Sequence, residues 1–148
     1  MRQIELRPAT ARDAEFLYRL HSAALREYVD QTWGWDESYQ RALFARRFDP
    51  TSRRLVLWAG SPVGSIGSRV ESDALHFYYI ALLPSYQRRG IGTFLISRLI
   101  SDATTRGLAV RLSVLKSNPA RSLYERLGFV ISSEDPHRYF MERPCPPA

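Results

Sequence analysis

The chain has 148 residues, 45% of them hydrophobic and 24% charged, with a formal net charge of +6. That is enough apolar sequence for one globular domain with a real core. There is no apolar run of about 18 residues to span a membrane. Cys145 is the only cysteine, so neither an internal disulfide nor a cysteine-based metal site is available. Lys116 is the only lysine, so the positive charge is almost all arginine. It comes in pairs such as Arg46-Arg47, Arg53-Arg54 and Arg88-Arg89 rather than in long runs, which leaves a nucleic-acid role without a motif of its own. The first residues read as a strand, not as a signal peptide. A single domain is expected over 1–143, followed by a flexible Pro-rich tail over 144–148, in a cytoplasmic protein.

The alternation of Gln3 to Arg7 predicts a first strand ending at Pro8. Thr10 suits the cap of a helix that carries Phe16, Leu17, Leu20, Ala24 and Leu25 on one face. Tyr28 to Glu37 then reads as a loop wall holding Trp33 and Trp35. A second helix is expected from about Asp36 to Phe48, with Tyr39, Leu43 and Phe44 inward. Strands follow at Arg54–Ala59, Val63–Val70 and Ala74–Leu83, separated by turns at Gly60-Ser61-Pro62 and Ser72-Asp73. A third helix is expected from about Arg89 to Arg106, with Gly107 as its stop. Ala109–Leu115 is a strand. Asn118-Pro119 starts a fourth helix that Gly128 ends. Phe129–Ser132 and Arg138–Glu142 close the chain as two strands. The order β-α-α-β-β-β-α-β-α-β-β is α/β with a mixed sheet.

The stretch from Leu82 to Thr93 is a strand end, a basic glycine-bearing loop and a helix start. The first N–H groups of a helix lack partners within it, and the dipole is positive there, so the geometry suits an anion. Arg88 and Arg89 add charge-assisted donors for phosphate oxygens. No lysine follows Gly92, so this is not a P-loop, and the dinucleotide fingerprint is incomplete. What the stretch contains is Gln87-x-x-Gly90-x-Gly92. That loop resembles the pyrophosphate-binding segment of the Gcn5-related N-acetyltransferases, the GNAT superfamily. A second segment, Asn118-Pro119-Ala120-Arg121-Ser122-Leu123-Tyr124-Glu125-Arg126-Leu127-Gly128-Phe129, is similar to the family's N-x-x-A-x-x-x-Y-E-x-x-G-F, with the alanine shifted by one position.

The resemblance covers nearly the whole chain and implies the GNAT fold. That means a mostly antiparallel sheet of about seven strands with four helices, in which two splayed strands form the acyl-CoA cleft. It implies an N-acetyltransferase that moves the acetyl group of acetyl-CoA to a primary amine of a small molecule or a peptide by direct attack, with no metal. The implied cofactor contacts are Leu82, Leu83, Gln87, Arg88, Arg89, Gly90, Ile91, Gly92, Thr93, Asn118 and Tyr124. Tyr124 is the implied general acid, because a phenol near the sulfur can protonate the departing thiolate. The backbone N–H near Leu82 is the implied oxyanion donor.

An attacking amine must be neutral, and a free alkylamine has a pKa of about 10.4, so a proton acceptor is needed. In histone-acetylating members a Glu on the strand before the loop does this, and the matching position here is His76. An imidazole is suited to that work near neutral pH. His21 and His137 give no metal-ligand spacing with it. The family's acceptor pocket maps to Tyr28, Trp33, Trp35, Asp36 and Glu37, aromatics and carboxylates that suit an ammonium group. The run also resembles that of small bacterial members without an assigned substrate. Two other readings stay open: a non-catalytic acyl-CoA-binding module, and an acetyltransferase acting on a tRNA-linked amine. Many members of the family form homodimers.

Overall fold

The computed structural model describes residues 1–146. Its strands are β1 (Ile4–Pro8), β2 (Arg53–Trp58), β3 (Ser61–Glu71), β4 (Ala74–Leu82), β5 (Ala109–Leu115), β6 (Val130–Glu134) and β7 (Arg138–Arg143). Its helices are α1 (Ala14–Trp33), α2 (Glu37–Arg47), α3 (Ile91–Thr105) and α4 (Ala120–Arg126). The strands form a seven-stranded sheet in the order β1-β2-β3-β4-β5-β7-β6. β4 and β5 pair in parallel, as a strand–helix–strand crossover requires. β7 enters between β5 and β6, antiparallel to both.

The chain forms two compact units. The first comprises Met1–Gly67 and Tyr79–Ile91, the second Ser68–Tyr78 and the chain from Gly92. In the first unit Leu55 and Val56 are both fully buried. Consecutive strand residues point to opposite faces, so β2 is covered on both sides. Leu17 and Leu20 of α1 are equally inaccessible, and the buried Ser65 Oγ donates to the Arg54 carbonyl at 2.9 Å. In the second unit the core is Phe77 of β4, Leu95, Ile96 and Leu99 of α3, Val110, Leu112 and Val114 of β5, Phe129, and Met141 of β7.

Three expectations change. The stretch from Tyr28 to Trp33 is not loop but the last turns of α1. No Gly or Pro interrupts it, Thr32 Oγ1 donates back to the Tyr28 carbonyl at 2.8 Å, and the helix stops where Gly34 takes φ 84°. Tyr39, expected inward on α2, is 58% exposed, and Gln40 takes the buried position. The cause is the cap: Asp36 accepts from the Tyr39 N–H at 2.8 Å, which fixes the start and rotation of the helix. Short 3₁₀ turns at Ala11–Asp13 and Pro84–Tyr86 replace the expected first turns of α1 and of the loop before α3. Pro144 to Pro146 carry no regular element, and the rest of the expected tail lies outside the described residues. Among the described residues no helix is long and apolar enough to cross a membrane, and no three His, Cys, Asp or Glu side chains are grouped to hold a metal ion.

Candidate active site

The first unit supplies the loop. Tyr86 N–H donates to Leu83 O at 2.8 Å and Gln87 N–H to Pro84 O at 3.2 Å, closing the 3₁₀ turn. The Gln87 amide turns back and donates to Leu82 O at 2.9 Å, so the motif glutamine ties the loop to the end of β4. Arg88 and Gly90 both take positive φ, 60° and 82°. For Arg88 this is the left-handed region that non-glycine residues rarely adopt. Turns of this kind bring successive N–H groups into an anion-binding concavity. The Arg89 guanidinium lies 5.0 Å from the centre of the Tyr86 ring, whose other neighbour is Trp58 at 6.1 Å. Arg88, Arg89 and Gly90 are exposed. Leu83 N–H is taken by Val63 O at 2.8 Å. N–H groups alternate along an extended strand, so the N–H of Leu82 points away from β3.

The α1–α2 junction uses most of its polar groups internally. Asp36 is the helix cap, and Asp30 accepts from the Trp35 N–H at 2.9 Å. Glu37 accepts from Trp35 Nε1 and from the Tyr18 hydroxyl, both at 2.9 Å. These two bonds hold its carboxyl below the usual carboxylate range. Trp33 is 51% exposed, and Tyr28 is half-buried. Asp36 and Glu37 are exposed, and Trp35 is half-buried.

A buried group that the sequence did not single out lies in the same unit. His21 Nδ1 is 3.3 Å from the Tyr79 hydroxyl, and Arg53 lies over the Tyr79 ring at 3.9 Å. Burial pushes the Tyr79 phenol up to about 12. Burial, and next the Arg53 charge, push His21 down to about 4. The signal in the sequence is positional: His21 follows Leu17 by one helical turn on the inward face.

The second unit supplies Tyr124. It is 5% exposed, with its ring edge-on to Phe77 at 6.2 Å and Phe129 at 5.9 Å. Its hydroxyl makes no hydrogen bond to another of the described residues, and burial pushes the phenol up to about 12. Asn118 Oδ1 accepts from the Ala120 N–H at 2.9 Å, so it caps α4, while its side-chain NH₂ donors are not part of that bond. Gly128, at φ 94°, ends the helix and turns the chain so that Phe129 reaches the Tyr124 ring.

His76 follows a different face of β4. Leu75 and Phe77 point inward, so His76 points outward, away from the side on which Phe77 meets Tyr124. Its Nδ1 lies 3.4 Å from Glu71 Oε2. It lines an open cavity of about 220 Å³ with Glu71, Arg111, Ser113, Ser132 and Phe140. His76 and Arg111 are also the last of the three registered pairs between β4 and β5. Tyr124 and His76 are thus at one level of β4, on opposite faces.

The fold is α/β, a mixed seven-stranded sheet with four helices. The Acetyltransferase (GNAT) family model matches residues 15–129. The chain belongs to the GNAT family.

Its relatives include the ribosomal protein bS18-alanine N-acetyltransferase of Salmonella typhimurium, 42% identical over 64 residues. That match covers 42% of this chain and 43% of the relative, so it spans about two-fifths of that protein's length. Among solved structures, the PaiA N-acetyltransferase of Thermoplasma acidophilum in complex with coenzyme A has a TM-score of 0.79 at 18% identity, over 95% of this chain and 98% of that one. The ribosomal-protein-S18-alanine N-acetyltransferase of Escherichia coli has a TM-score of 0.71 at 22% identity, over 98% and 96%. At such identities these structures show the fold. The mostly antiparallel seven-stranded sheet and four helices expected from the sequence are the ones observed.

Proposed function

We propose that this chain transfers the acetyl group of acetyl-CoA to the α-amine of a peptide or protein N-terminus. The observation that carries the reading is Tyr124, a buried phenol whose hydroxyl is bonded to no other described residue and whose ring is clamped by Phe77 and Phe129. A fixed ring with an uncommitted O–H is what a leaving thiolate requires. The α-amine acceptor is supported by the relatives, which are named for acetylating an alanine of a ribosomal protein.

Acetyl-CoA supplies the acyl group as a thioester. The backbone N–H groups from Arg88 to Thr93, with the Arg88 and Arg89 side chains, hold its pyrophosphate. The Asn118 amide donors anchor the pantetheine arm. The Leu82 N–H stabilises negative charge on the thioester oxygen. The acceptor arrives as an ammonium ion and loses one proton to water; His76, on the face of β4 away from Tyr124, is not placed to take it. Its nitrogen bonds to the carbonyl carbon, the carbon–sulfur bond breaks, and the thiolate takes the Tyr124 proton. The second proton lost from nitrogen restores the phenol, so the sum is amide, free thiol and one proton released to solvent.

The test is thiol release from acetyl-CoA in the presence of a peptide beginning with alanine, run beside polyamines, aminoglycosides and free amino acids. Release with the peptide alone supports the assignment. Release only with a small amine overturns the acceptor class and keeps the reaction, whereas silence throughout overturns both.

A further inference from the structure

Positive charge is spread unevenly over the first unit. Residues 7–15 and 41–54 hold seven arginines and three carboxylates, a surplus of four in a chain whose total is +6. The fold brings these residues to one end of the unit. We propose that this end binds the sugar-phosphate backbone of duplex RNA, at a site separate from the phosphate loop and independent of the transfer chemistry.

Placement is the first argument. Pro8 pairs with Arg54 across β1 and β2, and the Ala9 N–H donates to the Arg53 carbonyl at 3.0 Å. Arg7 donates to both oxygens of Asp13 at 3.0 Å, which holds the turn Ala11–Asp13, and Arg12 with it, against the end of β1. Tyr18 meets Glu37 at 2.9 Å and Glu15 meets Arg41 at 3.3 Å, so α1 and α2 run antiparallel here. One turn further, Arg12 comes level with the last turn of α2, which carries Arg46 and Arg47. The phosphate loop lies at the other end of β2, where the Trp58 ring is 6.1 Å from that of Tyr86. Four residues of strand, about 13 Å, separate Arg54 from Trp58.

Chemistry is the second argument. The three carboxylates are engaged: Asp13 by Arg7, Glu15 by Arg41, and Asp49 by the Thr51 N–H at 3.0 Å and hydroxyl at 2.6 Å. Arg12, Arg46, Arg47 and Arg54 are exposed and form no ion pair with another described residue. The negative end of the α2 dipole favours Arg46 and Arg47. Arg12, however, stands at the positive end of α1, and Arg54 in a strand, so helix stability does not explain the set. A guanidinium meets a phosphate with two parallel N–H donors. Among the described residues of this end no large apolar side chain is exposed, and Phe44 and Phe48 stack on each other at 5.5 Å. That leaves neither a wedge for a lipid surface nor a platform for unpaired bases, which favours the backbone of a duplex. The Thr10 and Thr51 hydroxyls spend their protons on Asp13 and Asp49, so their lone pairs can only accept. RNA offers them a donor in its 2′-hydroxyl, and the backbone of DNA offers none.

The experiment is fluorescence anisotropy of the full chain with a labelled RNA duplex of ~16 base pairs, beside the DNA duplex of the same sequence and vesicles of phosphatidylglycerol. RNA is expected to bind with a roughly micromolar Kd at ~50 mM salt and about 100-fold more weakly at ~200 mM, as four neutralised phosphates require. DNA is expected to bind at least about threefold more weakly than RNA, and vesicles not at all. Arg46→Gln combined with Arg47→Gln should flatten the slope of log affinity against log salt by about two, and Arg54→Gln, on a different element, by about one. Arg106→Gln, at an exposed position of the second unit, should leave the slope unchanged. Saturating coenzyme A should leave RNA binding unchanged. Displacement of RNA by coenzyme A, a loss with Arg106→Gln as large as with Arg54→Gln, or absence of RNA binding overturns the site. Equal affinity for DNA, or tighter binding to vesicles, overturns the choice of RNA.

Discussion

Replacing Gly64 by alanine puts a methyl group where two atoms already stand. A Cβ at this position would lie 2.6 Å from the Ala81 carbonyl oxygen and 2.6 Å from Leu82 Cδ2. Unstrained contacts between carbons fall at about 3.5–4.0 Å, so both neighbours must retreat. The Leu82 side chain has other rotamers. The Ala81 carbonyl moves only if β4 moves, and β4 is tethered just beyond by Leu83 N–H to Val63 O at 2.8 Å. Overpacking of this kind costs about 1–3 kcal/mol. Urea denaturation should show that loss as a lower midpoint with an unchanged slope. The strain falls on Ala81 and Leu82, where the thioester is proposed to bind, so acetyl-CoA affinity should fall as well. A loss below about 0.5 kcal/mol, the level of a neutral surface change, would refute the close approach of β3 and β4 at this point.

Tyr124→Phe keeps the ring between Phe77 and Phe129 and removes only the hydroxyl. Steady-state assays should show turnover lower by about 10²–10⁴-fold, the usual contribution of a general acid, with acetyl-CoA affinity unchanged by calorimetry; equal turnover would remove Tyr124 from the chemistry. Gly90→Glu forces a left-handed φ of 82° on a carboxylate-bearing residue in the phosphate loop, and calorimetry should then find no acetyl-CoA binding. Intact affinity in that variant would dismiss the loop. His21 has a folded pKa of about 4 against an ordinary 6.5, so the unfolded chain takes up the proton first. Its contribution is full above pH 6.5 and is lost as pH falls toward 4, by roughly 3 kcal/mol. Denaturation midpoints across that window should fall for the native chain and fall less for His21→Gln; parallel profiles would contradict a neutral buried imidazole.

The features most legible in the sequence were those set by neighbouring residues. The Asn118 cap, the Gly128 stop and the strand–loop–helix around Gly90 are local arrangements, and each is present where the residues indicated. The Trp-Gly-Trp run misled because indoles flanking a glycine read as a loop, whereas nothing before Gly34 stops a helix. The rotation of α2 was hidden because it depends on one side chain, Asp36, choosing the Tyr39 N–H. Contacts that join distant elements had no local signal. His21, Arg53 and Tyr79 come from α1, β2 and β4, and β7 enters the sheet between strands that precede it. Glu71 beside His76 lies between these cases. The Ser72-Asp73 turn was visible, but the orientation of its two flanking side chains follows from the pairing on each strand.

The most direct test of the central claim is the intact mass of an alanine-starting peptide after incubation with acetyl-CoA and the chain, native or Tyr124→Phe. The account predicts one acetyl group on the α-amine with the native chain and near-background product with the variant. An unmodified peptide with the native chain, under conditions where acetyl-CoA is bound, would contradict it.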